Sequence, residues 1–167
     1  DPHPSFTISK TITGSQSFGG PSISKVGQRK TFSGVKITKL CFMLKKVVGL
    51  ADPTNDLNFA IERVSDGAIL AKEYWGNASS LNTNFSWACI TFTNPPLIND
   101  EVRLLIETNL TGSTSNYPVV ALTNNVSSTE VGEKYDETNG WVSYADGNEL
   151  VYKIEYGDVS GCNITQY

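Results

Sequence analysis

Few residues in this 167-residue chain are able to do chemistry. Its one histidine, His3, stands between Pro2 and Pro4. A Ser-His-Asp or Cys-His arrangement needs an imidazole held in place by a third group, and a terminal histidine between two prolines does not supply one. Carboxylates are more plentiful, and the densest group is Glu130, Glu133, Asp136 and Glu137. A glycosidase needs two acids roughly 5 to 9 Å apart on a rigid cleft, whereas this group falls in a loop-like segment between expected strands. A solvated loop is the first reading of it, and a hard cation the second, because calcium takes several oxygens at about 2.3 to 2.6 Å. Glu133, Asp136 and Glu137 would offer them. Asp52, Asn55 and Asp56 form a second group that reads as turn chemistry. Neither an EF-hand spacing nor a glycine-rich phosphate loop occurs. The expectation is a protein that is not an enzyme and needs no cofactor, calcium at the acidic loop being the one exception left open.

Sulfur and aromatic groups give a second set of candidates. Cys41, Cys89 and Cys162 lack C-x-x-C spacing, which together with a single histidine argues against a zinc site. In an oxidising compartment two cysteines pair and one is left over. Cys41 and Cys89 lie inside strands able to neighbour each other and are the expected disulfide; Cys162 is the remainder, whether free, buried or intermolecular. An exposed aromatic ring can stack on the apolar face of a sugar, and Tyr74, Trp75, Tyr117, Tyr135, Trp141 and Tyr144 are available. Trp75, at the end of a strand, and Trp141 are the candidates for sugar contact, whereas Trp87 begins an alternating strand and is assigned to the core. Five N-x-S/T sequons, at Asn77, Asn84, Asn109, Asn125 and Asn163, all fall at turns, strand ends or the tail. A glycan there remains in solvent, so they are the expected glycosylation sites.

Bulk properties exclude several classes. With 13 basic and 17 acidic residues and a net charge of −4, the chain has no clustered basic footprint for phosphate backbones, and nucleic acid is not an expected partner. Its longest apolar runs, such as Leu40 to Leu44, fall far short of the roughly 18 to 20 residues that span a bilayer. The opening Asp1-Pro2-His3-Pro4 reads as a mature end left after processing, which favours an extracellular or cell-surface location.

These residues must be positioned by strands. Phe6, Ile8 and Ile12 alternate with Thr7, Ser9, Thr11 and Thr13 in the period-2 pattern of a strand with one apolar face, interrupted by Lys10. The stretch from Gly14 to Pro21 reads as a hinge that decouples this strand from the rest. Residues 1–22 are therefore expected to be an extension and 23–167 the domain. Strands are expected near 36–46, 57–64, 68–74, 86–93, 101–109, 119–123, 140–144 and 149–156, separated by turn residues such as Asp66-Gly67 and Asn94-Pro95-Pro96. No long helical period competes. Many short strands of this kind must bury one face against a second sheet, which predicts an all-β antiparallel sandwich. Leu40, Phe42 and Leu44, then Leu57, Phe59 and Ile61, then Ala88, Ile90 and Phe92 are the expected inward rows.

Taken together, the segments Ile37 to Val47 and Asp56 to Ile61, the Trp-led strand Trp87-Ala88-Cys89-Ile90-Thr91-Phe92, Pro95-Pro96-Leu97 with Glu101 to Ile106, and Gly140-Trp141 before Leu150 to Tyr156 resemble a jelly-roll β-sandwich module of secreted bacterial and phage surface proteins. The resemblance covers residues of about 35 to 157 and rests on packing motifs. It implies a two-sheet jelly-roll-like sandwich and no catalytic residue. Such modules occur in carbohydrate-binding, adhesive and surface-assembly proteins. The N-terminal extension resembles the donor strand of extracellular fibre subunits. Two functions follow as expectations. The first is a structural subunit of an extracellular filament, a homopolymer in which Phe6, Ile8 and Ile12 enter the next copy by strand donation. The second is a carbohydrate-binding or adhesive module whose partner is a polysaccharide.

Overall fold

A computed structural model describes residues 10–125, 129–144, 147–157 and 163–167. Phe6, Ile8, His3 and Cys162 lie outside the described residues. Fourteen strands are formed among the described residues: β1 (Gly14–Ser17), β2 (Ile23–Thr31), β3 (Val35–Val47), β4 (Asp56–Arg63), β5 (Ile69–Asn77), β6 (Ser86–Thr91), β7 (Leu97–Ile98), β8 (Glu101–Thr108), β9 (Tyr117–Asn124), β10 (Val131–Asp136), β11 (Gly140–Ser143), β12 (Asn148–Leu150), β13 (Tyr152–Gly157) and β14 (Asn163–Gln166). One short 3-10 turn, Ala78–Ser80, interrupts them. The protein is an all-β sandwich of two antiparallel sheets, as the alternation requires.

One sheet has the order β11-β10-β2-β8-β4-β5. In the other, β3 is the central strand. It pairs with β6 and β7 along one side and with β13 and β9 along the other; β14 then extends β13, while β1 and β12 flank β9. The three expected inward rows all enter the core, with Val26, Leu104, Ile106, Val120, Tyr152 and Ile154. Phe42 of one sheet meets Phe59 of the other edge-to-face at 5.3 Å, which fixes the two layers against each other.

Three parts of the fold differ from the sequence reading. The first is the stretch expected to be a hinge, which is structural: Gly14–Ser17 is the strand β1, paired with β9 from Gly14↔Leu122 to Ser17↔Val119. Phe18 is 1% exposed and belongs to the core. Gly19 follows with φ +76°, and a Cβ there would lie 2.4 Å from Asn55 Nδ2. Glycine is needed at that point because the buried Asn55 amide donates to the carbonyls of Gly19 at 2.8 Å and Asn109 at 2.9 Å. The second difference is β2, whose inward row is Ser24, Val26 and Gln28. Its polar members hid the strand from a search for apolar alternation. The third is β10, which forms from the acidic segment read as a loop.

The two sheets meet at two rims. At one, β10 and β12 approach so closely that a Cβ on Gly132 would lie 2.8 Å from the Glu149 Cα. Tyr144 closes this rim by donating its hydroxyl to Gln16 Oε1 at 3.2 Å. At the other rim β5 faces β6, and Glu73 Oε1 accepts the Thr93 amide at 3.0 Å. That hydrogen bond, from the backbone first, holds the Glu73 carboxyl below its usual range.

Cys41 and Cys89 occupy directly opposed positions on β3 and β6 and form a disulfide, with Cα atoms 4.1 Å apart. The pair closes a loop with a sequence separation of 48, so the chain-entropy relation gives a stabilisation of about 4 kcal/mol. Reduction, or replacement of both cysteines by alanine, is expected to lower the unfolding free energy by about 3 to 4 kcal/mol with the sandwich retained. Urea unfolding followed by tryptophan fluorescence checks it; an unchanged midpoint rejects a stabilising role for the bridge.

Candidate functional site

The most heavily built polar region lies where the N-terminal chain meets the closed rim. Lys10 reaches Glu149 of β12, Nζ to Oε1 3.1 Å, and its ammonium also sits 4.5 Å over the Tyr152 ring. The Glu149 side chain is 1% exposed, and its second oxygen has no hydrogen-bond partner among the described residues. Thr13 continues the attachment by donating its amide to the Leu122 carbonyl at 2.9 Å. Beneath this lies a buried chain of polar groups. Tyr152 donates to Glu130 Oε2 at 2.7 Å, Lys30 pairs with the other Glu130 oxygen, and Gln28 accepts the Leu150 amide at 2.9 Å. Burial first, then the charge of Glu130, pushes the Tyr152 phenol well above its ordinary value, so it stays protonated and donates.

This geometry bears on the expected donor row. Ile12 lies between Lys10 and β1 and is 40% exposed. It is tied on both sides to its own domain, so withdrawing it would break the Lys10–Glu149 pair. Phe6 and Ile8 lie beyond the anchor.

The acidic residues expected to hold calcium are spread apart. Glu133, 3% exposed, points from β10 toward Arg103 and accepts its Nε–H at 2.9 Å, while Arg103 Nη1 pairs with Glu62 at 3.1 Å. Asp136 caps a turn, accepting the amides of Thr138 at 2.7 Å and Asn139 at 3.3 Å. Glu137 accepts the Ser24 hydroxyl. Among the described residues no group of three or more metal-ligating side chains converges. Of the second acidic group, Asp56 opens β4 and accepts from the Tyr74 hydroxyl at 3.0 Å and the Asn77 amide at 3.2 Å of the neighbouring β5, a cross-strand role in place of the expected turn chemistry.

The two tryptophans expected to meet sugar are both engaged on one face. Trp75 stacks on the core residue Phe59, with ring centroids 6.5 Å apart and planes 8° from parallel. Trp141 lies 4.5 Å from the Arg103 guanidinium and meets Tyr135 edge-on at 5.5 Å. It lies over Gly27, where an added Cβ would stand 3.4 Å from the indole. Trp87 is not a core residue. Its neighbours Ala88 and Ile90 take the inward positions, so Trp87 points to the outer face, where Lys153 sits 4.7 Å over its ring and Tyr167 lies 6.3 Å away. The inward row Ala88, Ile90 and Phe92 already implied that parity.

The sequons occupy strand ends and loops. Asn77 ends β5, Asn84 precedes β6, Asn109 follows β8, Asn125 follows β9 and Asn163 opens β14. Asn84, Asn109 and Asn125 are exposed. The Asn77 amide is committed, donating to the Thr54 carbonyl at 2.9 Å and to Asp56.

Lys10→Ala leaves the Glu149 carboxylate buried without a cation, which costs about 3 to 5 kcal/mol by the usual measure of a broken buried pair. The double variant Lys10→Met with Glu149→Gln removes both charges and is expected to recover most of that loss. Denaturant midpoints of the single and double variants check this; equal loss in both would show that the pair does not act as a pair. No protein-family model matches the chain, and no curated protein matches it in sequence.

Proposed function

We propose that the protein is a structural subunit of an extracellular fibre or surface assembly, linked head to tail by N-terminal strand donation and carrying N-linked glycans. The observation that carries this reading is the Lys10–Glu149 anchor. The chain is fastened to its own sandwich from Lys10 onward, at the rim beside β10 and β12, and an alternating apolar pair, Phe6 and Ile8, stands just upstream. A large apolar side chain moved from water to full burial gains about 1.5 to 3 kcal/mol. A sheet edge of a second copy offers that burial together with unpaired backbone groups. A contact between an arm and a different surface is heterologous, so it propagates into filaments unless it closes into a ring. The Cys41–Cys89 disulfide and the exposed sequons at Asn84, Asn109 and Asn125 support an extracellular setting.

A polysaccharide-binding module on the same sandwich has less support, because Trp75 and Trp141 each give one ring face to Phe59 or Arg103. No catalytic role is assigned to any residue. No helix among the described residues is long and apolar enough to cross a membrane.

Negative-stain images of the native protein are expected to show filaments. Ile8→Asp should abolish them while leaving the monomer folded, since donation would then bury an unpaired carboxylate. Filaments that persist in Ile8→Asp, or a native protein that remains monomeric at all concentrations, contradict the proposal. Glycan occupancy supplies a separate check: mass spectrometry of tryptic peptides should find sugar on Asn84 and Asn109 ahead of Asn77, whose amide nitrogen is already bonded. Bare peptides at every sequon of protein from its native source would remove glycosylation from the reading.

A further inference from the structure

The rims, edges and arm together identify where a donated strand would go. β5 ends its sheet and no strand hydrogen-bonds to its outer side, where the rim contact with β6 runs through the Glu73 side chain and the Thr93 amide. With nine residues it is longer than the other sheet-ending strands among the described residues, β1, β11 and β14 with four each and β6 with six. Beside that edge lie Leu70, Ala71 and Trp75, apolar groups packed on the core but only partly buried. Ile69 and Tyr74 are exposed at 49% and 58%. A further strand beside β5 would pair its open backbone and cover these side chains.

The arm of the same copy does not reach. Lys10 is held at Glu149, against β10, and β5 lies four strand positions away in the order β10-β2-β8-β4-β5. At about 4.8 Å between neighbouring strands this is about 19 Å. Fully extended, the chain covers at most about 3.6 Å per residue, so Phe6 lies no more than about 14 Å from Lys10 and Ile8 no more than about 7 Å. Whatever precedes Asp1, the main chain at Phe6 and Ile8 falls short of β5 of its own sandwich and cannot pair with it as a strand. The Lys10 anchor and the β5 edge stand on opposite rims, the arrangement that joins copies in a line.

We infer that the β5 edge, Ile69–Asn77, accepts the segment around Phe6 and Ile8 from a second copy of this chain. This rests on the strand-donation reading and names its acceptor. The full-length protein carrying Phe6→benzoylphenylalanine, prepared in heavy- and light-nitrogen forms, mixed and irradiated, tests it. Peptide mass spectrometry is expected to find residue 6 joined to the 69–77 segment in heavy–light pairs. Ile69→Asp, which changes an exposed side chain and is expected to leave the melting temperature of the dilute monomer unchanged, should cut the yield about tenfold by placing a charge on the edge. Heavy–light pairs that join residue 6 to a different strand, or a yield indifferent to Ile69→Asp, overturn β5 as the acceptor while leaving donation standing. Links confined to single copies, or none, overturn both.

Discussion

A carboxylate taken out of water needs a cation, and at the closed rim of this sandwich Glu149 finds it in Lys10. The pair joins the first described residue to a strand near the end of the chain. Besides it, the described residues before β1 are held by the Thr13 amide on the Leu122 carbonyl and by the Lys10 ammonium over the Tyr152 ring. Lys10 first reads as a flaw, a charge breaking the apolar row of Phe6, Ile8 and Ile12. In the structure it divides that row, leaving Ile12 with its own domain and Phe6 and Ile8 beyond the anchor. Buried pairs of this kind are weak contributors to net stability, since desolvation offsets attraction, but they penalise alternative arrangements heavily. A pair that resists removal of one partner fits an anchor better than it fits a source of stability.

A second ionic group governs the outer face of the sheet ending in β5. Glu62, Arg103 and Glu133 sit on three strands, each less than a tenth exposed, and Trp141 covers the guanidinium. Arg29 adds a further cation 3.8 Å from Glu133. Of the carboxylates that suggested calcium, Glu133 is the one met by guanidinium groups from neighbouring strands. Planar, multiply donating arginine suits this role, because it satisfies two carboxylates at once.

The architecture was legible wherever burial follows period 2. Leu40, Phe42 and Leu44 announced β3, and Leu57, Phe59 and Ile61 announced β4, because apolar residues there face the core and polar ones face water. The signal failed where polar residues face inward. Ser24 and Gln28 carry hydroxyl and amide groups into the interior on β2, where Gln28 finds Leu150 and Glu130, and such partners are invisible until distant strands come together. β10 was hidden for a related reason, since Glu133 is buried only because Arg103 arrives from β8. The Gly14–Pro21 stretch has the composition of a hinge, yet Asn55 and the carbonyls of Gly19 and Asn109 turn it into a packed corner. For the candidate site, the sequence offered the arm but not its anchor: Lys10 and Glu149 are 139 positions apart, a contact that no local pattern encodes.

Donation in trans requires that the segment upstream of Lys10 acquire structure only when copies meet, while the segment downstream is held in every copy. Amide hydrogen exchange of the intact protein across a range of concentrations separates the two. The Thr13 amide should be protected at every concentration, and the amides of Phe6 to Ser9 should pass from unprotected to protected as concentration rises and copies associate. Protection of Phe6 to Ser9 that is the same at all concentrations would mean that the arm folds onto its own sandwich, and absence of protection throughout would mean that it pairs with nothing; either result contradicts donation.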